Sequence, residues 1–300
     1  MRDMMNREDL SLTGQFAEAG RVWRSNVGQF ARLVLVIVVP VTILKMLGDH
    51  LDQSTYGELA WLSMLLRYGS SFLLVVAWIV SLLITSDSVQ GEQRAPRAIF
   101  NDAGERYIPG AAAFLVAYAA RTAGLAIVGI AATLVPGDSV LRSVILLLGV
   151  PLCAVALMMW VSLAPFLAVI EERPIGSAMH MSVRLAGAHW REVGGLLLLL
   201  TVLQGIVSLL VWFGGSAVDA WATQISMSSA FSFYGTSILK IAFLLPVRLI
   251  DDVTLLFALT VFAVYFINRR AVWERNENRT QEVDDGVAEY PEPQHDRNAE

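Results

Sequence analysis

Long apolar runs separated by short polar stretches set the pattern of this chain. Six runs, 30–48, 68–87, 110–135, 144–170, 193–215 and 251–268, read as membrane-spanning helices. From Val144 to Ile170 only Cys153 could ionise, and from Val193 to Ala217 no side chain could. Uninterrupted apolar stretches of about 18 residues or more are long enough to cross a bilayer as helix. The second run has an apolar prelude at Leu62–Leu66, interrupted by Arg67. The sixth has another, Ile238–Ile250, punctuated by Pro246, Arg248, Asp251 and Asp252. Together they exceed a simple span, so 238–250 is expected to be an interfacial or re-entrant lead-in.

The polar connections carry a second pattern. After the fourth run the chain reads IEERPIGSAMHMSVRLAGAHWRE, Ile170 to Glu192. Ile175, Met179 and Val183 recur every four residues, with Ala178, Ser182 and Ala186 beside them. This predicts an amphipathic helix at headgroup level, with Trp190 at the interface. Similar material follows the second run: Glu92 is followed six residues later by Ala98, as Glu172 is by Ala178, and Tyr107 takes the place of Trp190. Residues Ala19–Phe30 resemble both without the glutamate. A plan of three repeats, each an interfacial helix plus two spans, competes with chance similarity among apolar sequences.

Composition agrees with a membrane protein. Hydrophobic residues make up 55% and charged residues 16%, against about 25% charged in soluble domains. Arginines cluster before the first run (Arg2, Arg7, Arg21, Arg24), after the second (Arg94, Arg97, Arg106), after the fourth (Arg173, Arg184, Arg191) and in the tail. The opposite connections hold Lys45, Arg67, Arg142, Lys240 and Arg248. The positive-inside rule then places both termini in the cytoplasm, which agrees with an even number of spans. The net charge of −5 comes largely from the acidic tail, whose composition predicts disorder beyond about Thr280. The polar start, 1–28, does not resemble a cleaved signal peptide. No basic, aromatic-rich patch suggests nucleic acid.

Candidate chemistry is sparse. Arg121 lies deep in the third run, where a charge costs at least about 2.5 kcal/mol unless it faces protein or water. It reads as a ligand contact in a polar cavity, as a structural anchor partnered by Asp251, Asp252, Gln204 or Ser162, or as an arginine that snorkels from a span with shifted limits. The adjacent Asp251 and Asp252 fall at the edge of the sixth run, where they would bind a cation, accept protons or simply end the span. His180 and His189 do not share a helical face. Glu171 and Glu172 beside Arg173 read as a charge-stabilised turn. No catalytic, nucleotide-binding or metal motif is present, and the single Cys153 reads as a packing residue. No cofactor and no metal is expected. Small residues in the third run (Ala111, Ala112, Ala113, Ala117, Ala119, Ala120, Gly124, Gly129) suggest that it packs at the bundle centre.

The Ile170–Glu192 run resembles the membrane domain attached to some bacterial glycerophosphoryl diester phosphodiesterases, and its stand-alone six-span relatives of unknown function. The matching residues are Glu172, Pro174, Ala178, Ser182, Arg184, Leu185, Gly187 and Trp190, and VYFINRRAVWER at the end of the last run is similar to the family's exit. The resemblance implies fold and membrane placement. It does not imply phosphodiesterase activity, which belongs to a soluble domain for which the short loops and tail leave no room. The expectation is an all-α, polytopic integral membrane protein of the bacterial cytoplasmic membrane. It would comprise a cytoplasmic segment 1–28 with an interfacial helix, a six-span domain 29–270 and an acidic tail 271–300. It would act without catalysis in envelope or lipid-related homeostasis, or as a scaffold for a protein partner or a second copy of itself. Its remaining partners would be membrane lipids, with Arg184 and Arg191 either meeting their phosphates or, the favoured reading, simply holding the loop on the cytoplasmic side. The alternative is a transporter or lipid-handling protein built around Arg121.

Overall fold

The computed structural model of the chain describes residues 11–54, 59–92, 94–134, 149–228 and 233–287, and every regular element among them is helical. In order these are α1 (Leu12–Ser25), α2 (Val27–Leu33), a π-helical turn (Val34–Val38) and α3 (Val39–Ser54). They are followed by α4 (Ala60–Gln90), α5 (Pro96–Glu105), α6 (Tyr107–Thr133), α7 (Val150–Val161) and α8 (Ala164–Val169). The last three are α9 (Ile175–Ala188), α10 (Trp190–Ser228) and α11 (Phe233–Val287).

Five segments are long and apolar enough to cross a membrane: Val27–Leu51, Ala60–Gln90, Tyr107–Thr133, Trp190–Val218 and Ile241–Arg270. The expected span 144–170 differs. Its first residues, 144–148, lie outside the described ones, and from Val150 it forms two helices that break at Ser162–Leu163. Pro165 lies just after the break and has no N–H to donate. Two carbonyls beside the break are served by hydroxyls: Ser162 Oγ donates to Met159 O at 3.0 Å and Ser182 Oγ to Trp160 O at 2.8 Å.

Three long segments are each preceded by a short helix, and a single residue makes each corner: Asn26, Arg106 and His189. Their φ/ψ pairs, −114/23, −88/3 and −122/33, are close to one another. In each corner the N–H donates four residues back, to Val22 O, Asp102 O and Leu185 O, at 3.0, 3.0 and 3.1 Å. Burial follows the same register. Seven residues before the corner lie Ala19, Ile99 and Ser182; four and seven after it lie Phe30 and Leu33, Gly110 and Ala113, Val193 and Leu196, all buried. The glutamate-based alignment is corrected here. Ala98 is exposed and Ala178 is buried, because α5 has 10 residues and α9 has 14.

The central helix is α4, not α6. In the most apolar window of α4, 72% is buried, against 31% in α6. The small residues Gly110, Ala113, Ala117 and Gly124 lie along the buried stripe of α6, and Gly110 is in close contact near its start. A Cβ on Gly110 would lie 2.8 Å from Ile79 Cδ1 and 3.0 Å from Val169 Cγ2. Further along, Leu115, Tyr118, Ile127 and Ile130 are exposed, and a Cβ on Gly129 would meet nothing within 4 Å.

The expected lead-in before the sixth span is also corrected. Residues 238–250 continue directly into the span as part of α11, with Pro246 inside the helix. The helix runs on to Val287; residues 288–300 lie outside the described ones. Helix α1 lies against α11, with Trp23 Nε1 donating to Thr260 Oγ1 at 3.0 Å and the Trp23 ring stacked 4.3 Å from Phe30. The core is concentrated toward one end of the bundle: Leu74–Val89 of α4, all of α8, and Leu256–Phe266 of α11 hold most of its buried side chains.

Candidate functional site

Two polar assemblies stand out against this apolar framework. The first lies at the end where the arginine-rich connections meet. Asp87, buried in the last turn of α4, receives Arg94 Nε at 2.8 Å and Nη2 at 2.6 Å, while Nη1 of the same guanidinium donates to Asp102 of α5. The hydrogen bond with Asp87 raises the Arg94 pKa above its ordinary value, with burial opposing it. Arg106 donates to Val169 O at 2.7 Å and to Glu172 Oε1 at 2.5 Å. Arg173 Nε reaches Glu171 at 2.6 Å, Arg270 lies 2.9 Å from the same carboxylate, and Arg269 pairs with Glu192 at 2.7 Å. Tyr265 Oη also donates to Glu192, at 3.4 Å, and His189 stacks on Trp273 at 5.1 Å. The two stretches that carried the family resemblance therefore touch each other. The Glu171–Arg173 pair is the charge-stabilised turn expected from sequence.

The family-motif residues have structural places. Glu172 adopts φ 54, a left-handed conformation uncommon for a non-glycine residue. Pro174 caps the start of α9, and Ala178, Ser182 and Leu185 form its buried face. A Cβ on Gly187 would lie 3.3 Å from the Trp160 ring. Arg184 and Trp190 are exposed, and Arg191 lies over the Trp190 ring at 5.4 Å.

The outward faces of the short helices each carry at least one arginine, and on α5 the exposed Glu105 offsets Arg97. Arg21 and Arg24 on α1, Arg97 on α5, and His180 and Arg184 on α9 with Arg191 just after it are all exposed. Arg21 also pairs with the buried Glu18.

The second assembly lies within the spans, between α3, α10 and α11. Asp251 Oδ1 accepts from Gln204 Nε2 at 2.7 Å and Ser208 Oγ at 2.8 Å. Asp252 Oδ2 accepts from Thr42 Oγ1 at 2.7 Å, and its Oδ1 lies 3.8 Å from Lys45 Nζ. At 1.5 Å rise per residue these groups are about 21–28 Å from the arginine-rich ends of their helices, toward the far boundary of a hydrocarbon core about 30 Å thick.

Sequence reasoning singled out Asp251 and Asp252; in the structure α11 continues through both, within the apolar segment Ile241–Arg270. It missed Thr42, Lys45 and Ser208; Lys45 had been counted in a connection. The signal was present, since α3 and α10 each carry polar residues at helical spacing amid apolar ones. Arg121 lies on α6, but its side chain is outside the described ones. Helix α6 packs on α4, α7 and α8, whereas the aspartates are held by α3 and α10. Among the described residues, no group of three or more His, Cys, Asp or Glu side chains is placed to hold a metal ion.

Comparison with known protein families, curated proteins and solved structures finds no match to this chain.

Proposed function

We propose that the protein is a six-pass component of the bacterial cytoplasmic membrane whose arginine-rich, cytoplasmic face is a docking platform for a partner in envelope or lipid-related homeostasis, acting without catalysis. The observation that carries this reading is the set of three short helices at one end. Each buries one face on the bundle, is fixed by a one-residue corner, and turns arginine or histidine outward. Helices α7 and α8 supply the sixth pass, running back along α6 to Val169 beside Arg106. The three corners support the threefold plan of short helix plus two passes. The Ile170–Glu192 resemblance supports kinship with the six-span relatives of the phosphodiesterase membrane domain.

Two experiments test it. In a Cys153→Ala background, single cysteines placed near each terminus should both react with an impermeant maleimide only after the membrane is opened. Labelling of the two ends from opposite sides overturns the six-pass topology. Charge reversal at Arg24, Arg97 and Arg184 should remove cross-linked partners in cells while the melting temperature of the purified protein holds. An unchanged set of partners overturns the platform.

A second reading, a transporter or lipid-handling protein, is favoured by the polar assembly around Asp251 and Asp252 rather than by Arg121. Deep ionisable side chains commonly mark a pathway for substrate or ions.

A further inference from the structure

Asp251 and Asp252 are adjacent in one helix, yet their surroundings differ. Asp252 has a counter-charge in Lys45 and a hydroxyl donor in Thr42. Asp251 has neutral donors only, and both reach the same oxygen, Oδ1. The elements packed around it offer no other compensation among the described residues. On α3, Lys45 is engaged by Asp252. On α10 no ionisable side chain occurs between Val193 and Ala217. On α4, Arg67 pairs with Asp49 at 2.9 Å. Arg248, one turn earlier on α11, is exposed and forms no ion pair with Asp251.

A second observation comes from the amide that holds Asp251. Gln204 Oε1 is buried, and no donor reaches it. Leaving a buried acceptor unsatisfied costs about 1–3 kcal/mol, and a carboxylate without a counter-charge in an apolar span costs more. Both deficits lie on the two partners of one hydrogen bond. One positive species between them would relieve both. The available donors are all oxygens, from a carboxylate, an amide and a hydroxyl, which suits a hard cation or a proton. One uncompensated negative charge matches one positive charge.

We propose that Asp251, Gln204 and Ser208 form a site for an exchangeable monovalent cation, either sodium or a proton, while the Lys45–Asp252 pair fixes the neighbouring charge. The inference supplies a ligand class for the polar assembly and is independent of the cytoplasmic platform.

The test uses the full chain in lipid nanodiscs. The hydrophobic carbodiimide DCCD, which attacks protonated carboxyl groups, is applied across a pH series in sodium chloride or choline chloride, and the modified residue is mapped by mass spectrometry. A proton site gives labelling at Asp251, not Asp252, that declines as pH rises and is the same in both salts. A sodium site gives labelling at Asp251 in choline that sodium suppresses, with a melting temperature raised by sodium alone. Gln204→Leu and Ser208→Ala should each shift the sodium or proton midpoint by about tenfold, the worth of one hydrogen bond to a charged group. The wild-type mapping needs no variant to fold. Equal labelling of both aspartates, or no labelling of Asp251 at any pH in either salt together with no effect of sodium on melting, overturns the proposal. Partner capture by Asp251→Asn should remain at the wild-type level, so failure here and failure of the platform are separable.

Discussion

Arg94 shows how single side chains hold the arginine-rich end together. Its guanidinium grips both oxygens of Asp87 and also reaches Asp102, linking the end of α4 to α5. Because the cation is the group whose pKa is raised, its stabilisation is complete at all pH values below the ordinary arginine value. It is lost only as pH climbs through the higher folded value. The arginine side of this link is therefore constant through the neutral range. Arg94→Ala strands a buried carboxylate and is expected to cost about 2–3 kcal/mol, less than for a fully buried pair because the arginine is partly exposed. Arg94→Lys should recover only part of this, since a lysine cannot grip both oxygens. Thermal unfolding in detergent measures both; an unchanged melting temperature for the alanine variant would remove the pair from the stability of the fold. The sequence showed such links only where partners are neighbours. Glu171 and Arg173 were legible as a turn, but Arg106–Glu172 and Glu171–Arg270 join distant segments that no local pattern connects.

At the scale of elements, spacing was a better guide than punctuation. The amphipathic period of 175–190 became α9, and the polar–apolar switch before it became the corner at His189. Pro246 with Arg248, Asp251 and Asp252 looked like a break, yet α11 passes through all of them. The sequence could not show that Thr42, Lys45, Gln204 and Ser208 would take up the aspartates and let the helix continue. The π-helical turn at Val34–Val38 was equally silent. It lengthens the interval between the buried Leu33 and the buried Val38 to five residues, bringing Val41, Thr42 and Lys45 round toward α11. Small residues in 110–135 were read correctly as permitting close approach, but their number was mistaken for centrality. Of Gly110 and Gly129, Gly110 is the one in close contact. Gly110→Leu should therefore destabilise by about 1–3 kcal/mol through overpacking against Ile79 and Val169, whereas Gly129→Leu should be tolerated. Comparable melting temperatures for the two variants would refute this distinction.

Over the whole molecule, the bundle is tight at one end and open at the other. The arginine-rich half contains the interlocked cores of α4, α8 and α11, whereas Trp61, Met64, Leu65, Tyr68 and Phe72 at the other end of α4 are exposed. The chain's first described helix secures the tight end, where Trp23 inserts between Phe30 and Phe257 and donates to Thr260. Trp23→Ala is expected to cost about 3–5 kcal/mol, and limited proteolysis should then release the segment up to Ser25 as the first cut. Resistance of that segment equal to wild type would show that α1 does not depend on this anchor. Five of the six expected runs form long apolar helices, and the all-helical membrane class was legible from hydropathy. The uneven packing was not, because lipid-facing and core-facing residues are equally apolar.

The one-residue corners also have a mechanical consequence. A connection of several residues would absorb any movement of a short helix across the membrane surface. A single residue with settled dihedral angles and a hydrogen bond across it cannot, so displacement of α9 must be passed to α10 as tilt or rotation. Helix α10 carries Gln204 and Ser208 to Asp251. A load applied at the surface is therefore expected to bear on the helix that holds the one carboxylate in the spans with no counter-charge among the described residues.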